Sequence, residues 1–433
     1  MMNDHLQWMY TLERFGIKPG LGAMEEIMEA LGHPERQWPS VHIAGTVGKG
    51  STAAFMASVL GKAGYRVGLY TSPHVVTIHE RIQIDGQQIT DGELALLSQE
   101  MRGKLEAKSV QATLFEFTTA LAFLYFARQH IDIAVIEVGM GGRLDATNVI
   151  TPIVSVITTI GLDHEQFLGG TLAEVAGEKA GIMKAGVPVV VGEQNSGVLA
   201  LLRKIAQKKQ APLYAVPENM EIKVLQATLD GQRFLIKPMA HPGGIQSTGH
   251  LPGSAIEHFE IGLLGRHQID NAATALLALG VVQGQGWKLP AQALQDGLRE
   301  TVWPGRMQIL SRQPLVVVDG AHNQDGFKAL YQFIKDWPRH DVLVAAAKND
   351  KNFLAMYENI VPLFTQVVVT EGTYEPMPAD LLAQAIRPYA QQLPVVMPSA
   401  LEAVAHAKSI VSPDGTMLIT GSLYMIGAVY KVY

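Results

Sequence analysis

The chain has 433 residues, 48% of them hydrophobic and 17% charged, with a formal net charge of −6 and no cysteine. So much apolar material excludes a disordered chain, and the lack of a long basic block argues against a nucleic-acid partner. Without cysteine there are no disulfides, thiolate metal sites or cysteine nucleophiles. No basic, leader-like N-terminus and no bilayer-length apolar run occurs, so a soluble cytoplasmic protein without a membrane partner is expected. At about 100–200 residues per domain, the length predicts a large domain and a smaller one.

In chain order, residues 4–16 and 21–32 predict two short helices, the second with Met24, Ile27, Met28 and Leu31 at helical spacing. Next comes an apolar run (Val41, Ile43, Ala44), glycines at 45, 48 and 50, and a helix-forming segment from Thr52 to Ala63. Strand, tight loop and helix in that order cradle a polyphosphate. Glycines let the backbone approach, N–H groups and the helix N-terminus face the anion, and Lys49 adds a point charge. The pattern departs from Walker A, because position 43 is Ile and Gly50 separates Lys49 from Ser51. A Gly-rich turn with a solvated lysine is the competing reading.

A strand over 65–70 leads into Thr71-Ser-Pro-His74 and then Glu80-Arg-Ile82. Helices over 91–107 and 115–130 precede the strand 131–138, apolar almost throughout as a central parallel strand should be. Glu137 interrupts its end, where a carboxylate must be paired, protonated or metal-bound. After the loop 139–148 and a strand over 153–159 comes His164. Ser72, Glu137 and His164 thus follow three strand ends, and hard oxygens plus one imidazole suit Mg²⁺ beside a phosphate. Taken singly, a helix cap, a salt-bridge partner and a loop histidine explain them as well.

A helix over 171–184 and a strand over 187–192 follow, and 213–262 alternates like a small antiparallel insertion. The helix 267–280 carries Asn271, either a packing hydrogen bonder or a ligand contact. Pro304 and Gly305 make Thr301–Arg306 a hinge. Beyond it, strands over 315–319, 342–346, 366–370, 394–397 and 416–420 alternate with helices as a second parallel sheet. The Asp319-Gly-Ala-His-Asn323 stretch has the form of a site loop. No glycine fingerprint accompanies it, which disfavours a dinucleotide site. The expected fold is α/β. Residues 1–300 form a P-loop-type, mostly parallel sheet domain with an antiparallel insertion at 213–262, and 301–433 a smaller Rossmann-like domain.

Ten short segments now stand in order, among them Gly45-Thr-Val-Gly-Lys-Gly-Ser51, Thr71-Ser-Pro-His74, Glu137-Val-Gly-Met-Gly-Gly-Arg-Leu-Asp-Ala-Thr-Asn148, Glu178-Lys-Ala-Gly-Ile182, Gly265-Arg-His-Gln-Ile-Asp-Asn271, Trp303-Pro-Gly-Arg306 and Thr420-Gly-Ser-Leu-Tyr424. Together they resemble the folylpolyglutamate synthase/dihydrofolate synthase family of the Mur-ligase superfamily, nearly end to end. The resemblance implies ATP-dependent amide bond formation between a folate carboxylate and the amine of L-glutamate, through an acyl phosphate. Whether dihydropteroate also serves is left open.

It further implies that ATP lies between the two domains, its phosphates on Gly48, Lys49, Gly50 and Ser51. A pair of Mg²⁺ ions would be held by Ser72, Glu137 and His164. Lys179 matches a lysine that the family carries as a carbamate; an ordinary helical surface lysine is the alternative. Asn271, Arg306, Asp319 and His322 match ATP contacts, and Lys49, Lys179, Arg306 and His322 make up the implied catalytic set. The pterin side of the substrate would meet Pro19, Gly20 and Leu21; Thr113, Leu114, Phe115 and Glu116; and Leu144, Asp145 and Ala146. Departures are Val47 where the family usually has Asn, Asp350-Lys-Asn352 for Asp-Lys-Asp, and no Arg after Thr370. A monomer is expected. Two rival readings are another Mur-type amino-acid ligase and an ATP-binding switch with weak chemistry.

Overall fold

The computed structural model describes residues 2–16, 20–239, 257–349 and 353–430. Eight strands form the first sheet: β1 (Ser40–Ala44), β2 (Val67–Tyr70), β3 (Ile82–Ile84), β4 (Gln87–Gln88), β5 (Ile133–Glu137), β6 (Val154–Ile157), β7 (Val189–Val191) and β8 (Leu213–Ala215). Their order is β4-β3-β2-β5-β1-β6-β7-β8, with antiparallel pairing only between β2 and β3 and between β3 and β4. Every residue of β1, β5 and β6 is buried, as central strands covered by helices on both faces require. From β1 the chain runs first to one side of the sheet and later to the other. The carboxyl ends of β5, β1 and β6 therefore bound the crevice where α/β sheets place ligands.

The helix expected over 52–63 starts earlier, at Lys49, and runs to Lys62. Gly48, left-handed at φ 86°, is its N-cap, so Lys49, Gly50 and Ser51 form the first turn. Helices Asp91–Lys108, Leu114–Arg128 and Leu172–Lys179 each open on a Thr-x-x-Glu capping box, in which threonine and glutamate satisfy each other's backbone N–H. The helix expected over 171–184 ends at Lys179 and tightens into the turn Ala180–Ile182. There Gly181 sits so close to Arg143 that a Cβ would lie 2.3 Å from Arg143 Cα.

The antiparallel sheet comprises β9 (Met220–Thr228), β10 (Gly231–Pro238) and β11 (Glu257–Ile261) in the order β11-β10-β9. It buries Phe234, Ile236, Phe259 and Ile261 against the helix Arg266–Gly284. Residues 213–215, expected in this insertion, pair instead with the parallel sheet as β8. They follow the helix Ser196–Lys208, and a strand–helix–strand crossover delivers a parallel edge strand.

The second sheet holds β12 (Gln308–Arg312), β13 (Leu315–Asp319), β14 (Val342–Ala345), β15 (Gln366–Val369), β16 (Val395–Val396) and β17 (Thr416–Thr420), ordered β12-β13-β17-β14-β15-β16. Five of these strands are parallel. β12, which sequence reading missed, adds an antiparallel edge against β13.

The helix Ala291–Arg299 lies against Lys49–Lys62 at a glycine contact. A Cβ on Gly297 would sit 2.5 Å from Val59 Cα, and Ser58 Oγ donates to Gly297 O at 2.8 Å. Gly297→Ala gains about 1 kcal/mol of helix propensity but overpacks backbone against backbone, which costs about 1–3 kcal/mol. A net loss of about 1 kcal/mol is expected, read as a lower urea midpoint at unchanged m. A midpoint at or above wild type would mean that the two helices part freely.

Candidate active site

β1 ends at Ala44, and the loop that follows is strapped to the residues after β6. Thr46 N and Val47 N both donate to Thr159 O, at 2.9 and 3.3 Å. Thr158 Oγ1 donates to Val47 O at 2.7 Å, and Thr46 Oγ1 bonds the backbone of Gly161. Val47 thus holds its place through its backbone. Gly45 and Gly48 are wedged: Cβ atoms there would lie 1.8 Å from Thr158 Oγ1 and 2.1 Å from Asn271 Oδ1. Gly50 abuts the indole of Trp303, 2.8 Å from where its Cβ would be. The first N–H groups of the helix that follows have no intrahelical acceptors, so a cup of backbone donors faces the cleft beside Lys49.

Glu137 closes β5 at the wall of this cup. Its Oε1 is 4.0 Å from Lys49 Nζ, and its Oε2 accepts from Ser72 N at 3.1 Å. Burial pushes its pKa up, against the pull of Lys49 and of the Ser72 N–H. Ser72 lies two residues beyond β2. His164 lies seven residues beyond β6, farther than expected, and caps the short helix Glu165–Leu168 in a left-handed conformation at φ 51°. All three line one cavity of about 450 Å³. Among the described residues no three or more His, Cys, Asp or Glu gather as a ready-made metal cage.

Lys179, expected on a helix, is buried and reaches the cup. Its Nζ donates to Gly45 O at 2.8 Å, and burial, reinforced by Lys49, pushes its pKa down to about 7. Glycine packing brings it there, since a Cβ at Gly142 would lie 2.9 Å from Lys179 O. The cavity's opposite wall comes from the second sheet. Asp319, the last residue of β13, accepts from Met307 N and Ala321 N, both at 2.8 Å, and Arg306 opposes the upward push of burial on its pKa. A carbonyl only accepts, so the 2.8 Å contact of His322 Nδ1 with Gly320 O places the ring proton on Nδ1. Asn271, buried, donates Nδ2 to Gln268 Oε1 at 3.0 Å and completes the floor beside Gly48.

A second cavity, of about 430 Å³, adjoins the first, and the two share Ser72, Gly139, Met140, His164 and His322. Gly20, Thr113, Phe115, Glu116, Leu144, Asp145 and Ala146 line it. The tip of the Phe115 ring abuts Gly139, where a Cβ would be 2.3 Å from Cζ. Two expected residues turn elsewhere. Leu114 packs on the apolar core of the N-terminal helices, and Leu21 caps the helix Gly22–Leu31. Pro19, Asp350 and Asn352 lie outside the described residues.

Sequence reading assigned no role to several groups that reach this cavity. Arg81 Nε donates to His74 Nδ1 at 2.9 Å, and burial, with Arg81, pushes the His74 pKa down to about 4. From the second sheet come Lys348, Ser422 and Tyr424, the last beside the tilted ring of Tyr374, with centroids 5.0 Å apart. The Glu80-Arg81 and Ser422–Tyr424 motifs were the available signal. The two sheets also join across the cleft where Asn323 Nδ2 donates to Asp163 Oδ2 at 3.1 Å.

A phosphate-cradling loop at the switch point of one parallel sheet, faced across a cleft by the strand ends of another, defines a nucleotide-dependent α/β enzyme. Residues 43–279 match the Mur ligase middle domain, and residues 305–423 the glutamate ligase domain of Mur ligases. The dihydrofolate synthase/folylpolyglutamate synthase of Bacillus subtilis (strain 168) is 39% identical over 338 residues, 77% of this chain and 76% of that protein. The folylpolyglutamate synthase of Lacticaseibacillus casei is 35% identical over 419 residues, 93% and 92% of the two chains. The solved Mycobacterium tuberculosis folylpolyglutamate synthase complexed with ADP superposes with a TM-score of 0.87 at 32% identity, covering 99% of this chain and 98% of that one. The chain belongs to the folylpolyglutamate synthase/dihydrofolate synthase family of Mur ligases.

Two glycines near the cup separate conformational need from mere tolerance. At Gly48 a side chain must adopt φ 86° and displace Asn271; at Gly61, farther along the same helix, a Cβ meets open space. Gly48→Ala is expected to lose about 1–2 kcal/mol, and Gly61→Ala to gain up to about 1 kcal/mol. Thermal melts of the two variants check the contrast, and equal shifts would refute it.

Proposed function

We propose that the chain is an ATP-dependent ligase that joins L-glutamate to a folate carboxylate through an acyl phosphate. The shared wall of the two cavities carries this reading, because it lets a carboxylate from one meet a terminal phosphate in the other. A second activity on dihydropteroate rests on the B. subtilis relative, which is named for both reactions. Residues 1–300 and 301–433 are taken as the two units, hinged at 301–306.

The cup fits a nucleotide. Wedged glycines leave no side chain between its backbone donors and the phosphates, and Gly48, Lys49, Gly50 and Ser51 would hold them, with Asn271, Arg306 and Asp319 as further ATP contacts on the same cavity. The donor set also fits Mg²⁺. A buried carboxylate that burial drives toward neutrality gains from a dication, and Ser72 and His164 add an oxygen and a nitrogen, leaving phosphate oxygens and water to complete the shell. Bound Mg²⁺ would screen the charge that develops on the transferred phosphoryl group.

The folate carboxylate attacks the γ-phosphorus and ADP departs. The glutamate amine then attacks the acyl carbon, loses its proton, and phosphate leaves with the C–O electron pair. A free carboxylate is a poor acyl donor, and phosphorylation supplies the leaving group. Lys49 and Arg306 face the transferred phosphoryl from opposite sheets, so their charges converge when the cleft shuts. His322, its ring fixed by Gly320 O, stands at the shared wall. Closure also keeps water from the acyl phosphate.

ADP release with Mg·ATP and L-glutamate tests the reading. Release with tetrahydrofolate alone marks a polyglutamate synthase, and release with dihydropteroate too marks a bifunctional one. ATP binding without either release would leave a switch, and release with another amino-acid acceptor a different Mur-type ligase. Arg306→Ala is expected to lower kcat about 100-fold or more with ATP still bound; intact turnover per bound ATP would remove its role.

We further propose that Lys179 carries a carbamate, which would turn a cation into an anionic ligand for a second Mg²⁺. Its pKa of about 7 supports this, since the neutral amine is the form that attacks CO2. The lowered pKa leaves the amine free above about 7 and protonated below it, so carbamate grows as pH rises through that value. Activity in CO2-free buffer is expected to fall and to return with bicarbonate, with the adduct visible by ¹³C NMR. Full activity without CO2 would dismiss the carbamate.

A further inference from the structure

His42 lies in the middle of β1, flanked by β5 and β6, with no exposed surface. Its Nε2 is 2.9 Å from Thr147 Oγ1, which in turn is 2.5 Å from Asp145 Oδ1. Two backbone donors converge on the same carboxyl: Thr147 N on Oδ1 at 3.0 Å and Met140 N on Oδ2 at 2.9 Å. Such fixed donors make the carboxylate the acceptor, so the single hydroxyl proton of Thr147 goes to Asp145. The Thr147 oxygen must then accept from His42, which requires the Nε2–H tautomer. That leaves His42 Nδ1 buried with no hydrogen-bond partner, an expense that a purely apolar strand position avoids. Burial, with Lys184, pushes the ring's pKa down to about 3, so the ring is neutral above that value, while burial pushes the Asp145 carboxyl up against the pull of its Thr147 and Met140 donors.

The chain of bonds ends on a loop rather than in the core. Asp145 clamps Met140 to Thr147, and the segment between them lines the second cavity through Arg143, Leu144 and Asp145. The phosphate cup is held separately, by Thr158 and Thr159. We propose that His42 is a positioning residue for acceptor specificity, acting through Thr147 and Asp145 to hold loop 139–147 in the shape that receives the flat ring system of the substrate. The proposal rests on the reading that this cavity takes the folate.

The test compares His42→Leu and Thr147→Val, which break the chain, with His42→Gln and Thr147→Ser, which keep an N–H or O–H at the same reach. Breaking variants are expected to raise the tetrahydrofolate KM about tenfold while the ATP KM stays within about twofold, and the conservative variants to restore the folate KM. Nitrogen-15 NMR of the wild-type ring should report Nε2–H. An unchanged folate KM in Thr147→Val would overturn the proposal. So would a parallel loss of folate and ATP affinity with lowered melting, equal damage from the conservative variants, or an Nδ1–H ring. Wild-type protein without folate-dependent ADP release would instead sink the ligase reading, and the tautomer would then decide the bond chain by itself.

Discussion

A carboxylate buried at the end of the central strand is the constraint around which the site is arranged. Glu137 pairs in register with Ile43 of β1, and its neighbour Ile136 with Tyr70 of β2. Residues just past the ends of those two strands are therefore forced beside its oxygens, and they are Lys49 of the cup and Ser72. A one-residue slip of β5 would turn Glu137 to the other face of the sheet and dissolve the arrangement. Desolvation makes the carboxylate unstable alone, which keeps cations or N–H groups around it. A buried charge of this kind is poor material for stability and good material for holding a counter-charge.

The second sheet answers the same requirement from across the cleft. Asp319 is also a carboxylate at a strand end, but two backbone N–H groups satisfy it, one of them from Met307. It therefore ties the segment carrying Arg306 to β13, and Arg306 lines the cavity from a braced base. The two carboxylates differ in chemistry because their donors differ. One is occupied by its own backbone, and the other keeps room for a ligand.

Much of this was legible along the chain because it is local. Apolar runs marked the inner strands, and Glu137 declared itself as a charge where only apolar side chains belong. Features set by distant pairing were not legible. β12 is an edge strand whose half-exposed residues carry no alternation, and β8 joins the parallel sheet only because a helix carries the chain back to it. Lys179 reads as a surface lysine until Gly142 and Gly181 let two backbones touch and draw it inward. Leu114 sits within a motif that lines the second cavity, yet helical geometry turns it to the core while Phe115 and Glu116 face the cavity. The same limit applies to His42, whose partner is 105 positions away.

The contact between Gly50 and Trp303 has an optical consequence. The chain holds five tryptophans. Trp8, Trp38, Trp287 and Trp337 meet Phe117, Phe123, Tyr65 and Phe333 edge to face, away from the cup. Trp303 alone among them lies against the first turn of the phosphate-loop helix, and it sits in the segment 301–306 that carries Arg306. Its indole therefore touches the cup from the segment that leads into the second sheet. Phenylalanine in place of the other four would leave an intrinsic fluorophore whose emission follows the state of the cup without any attached label.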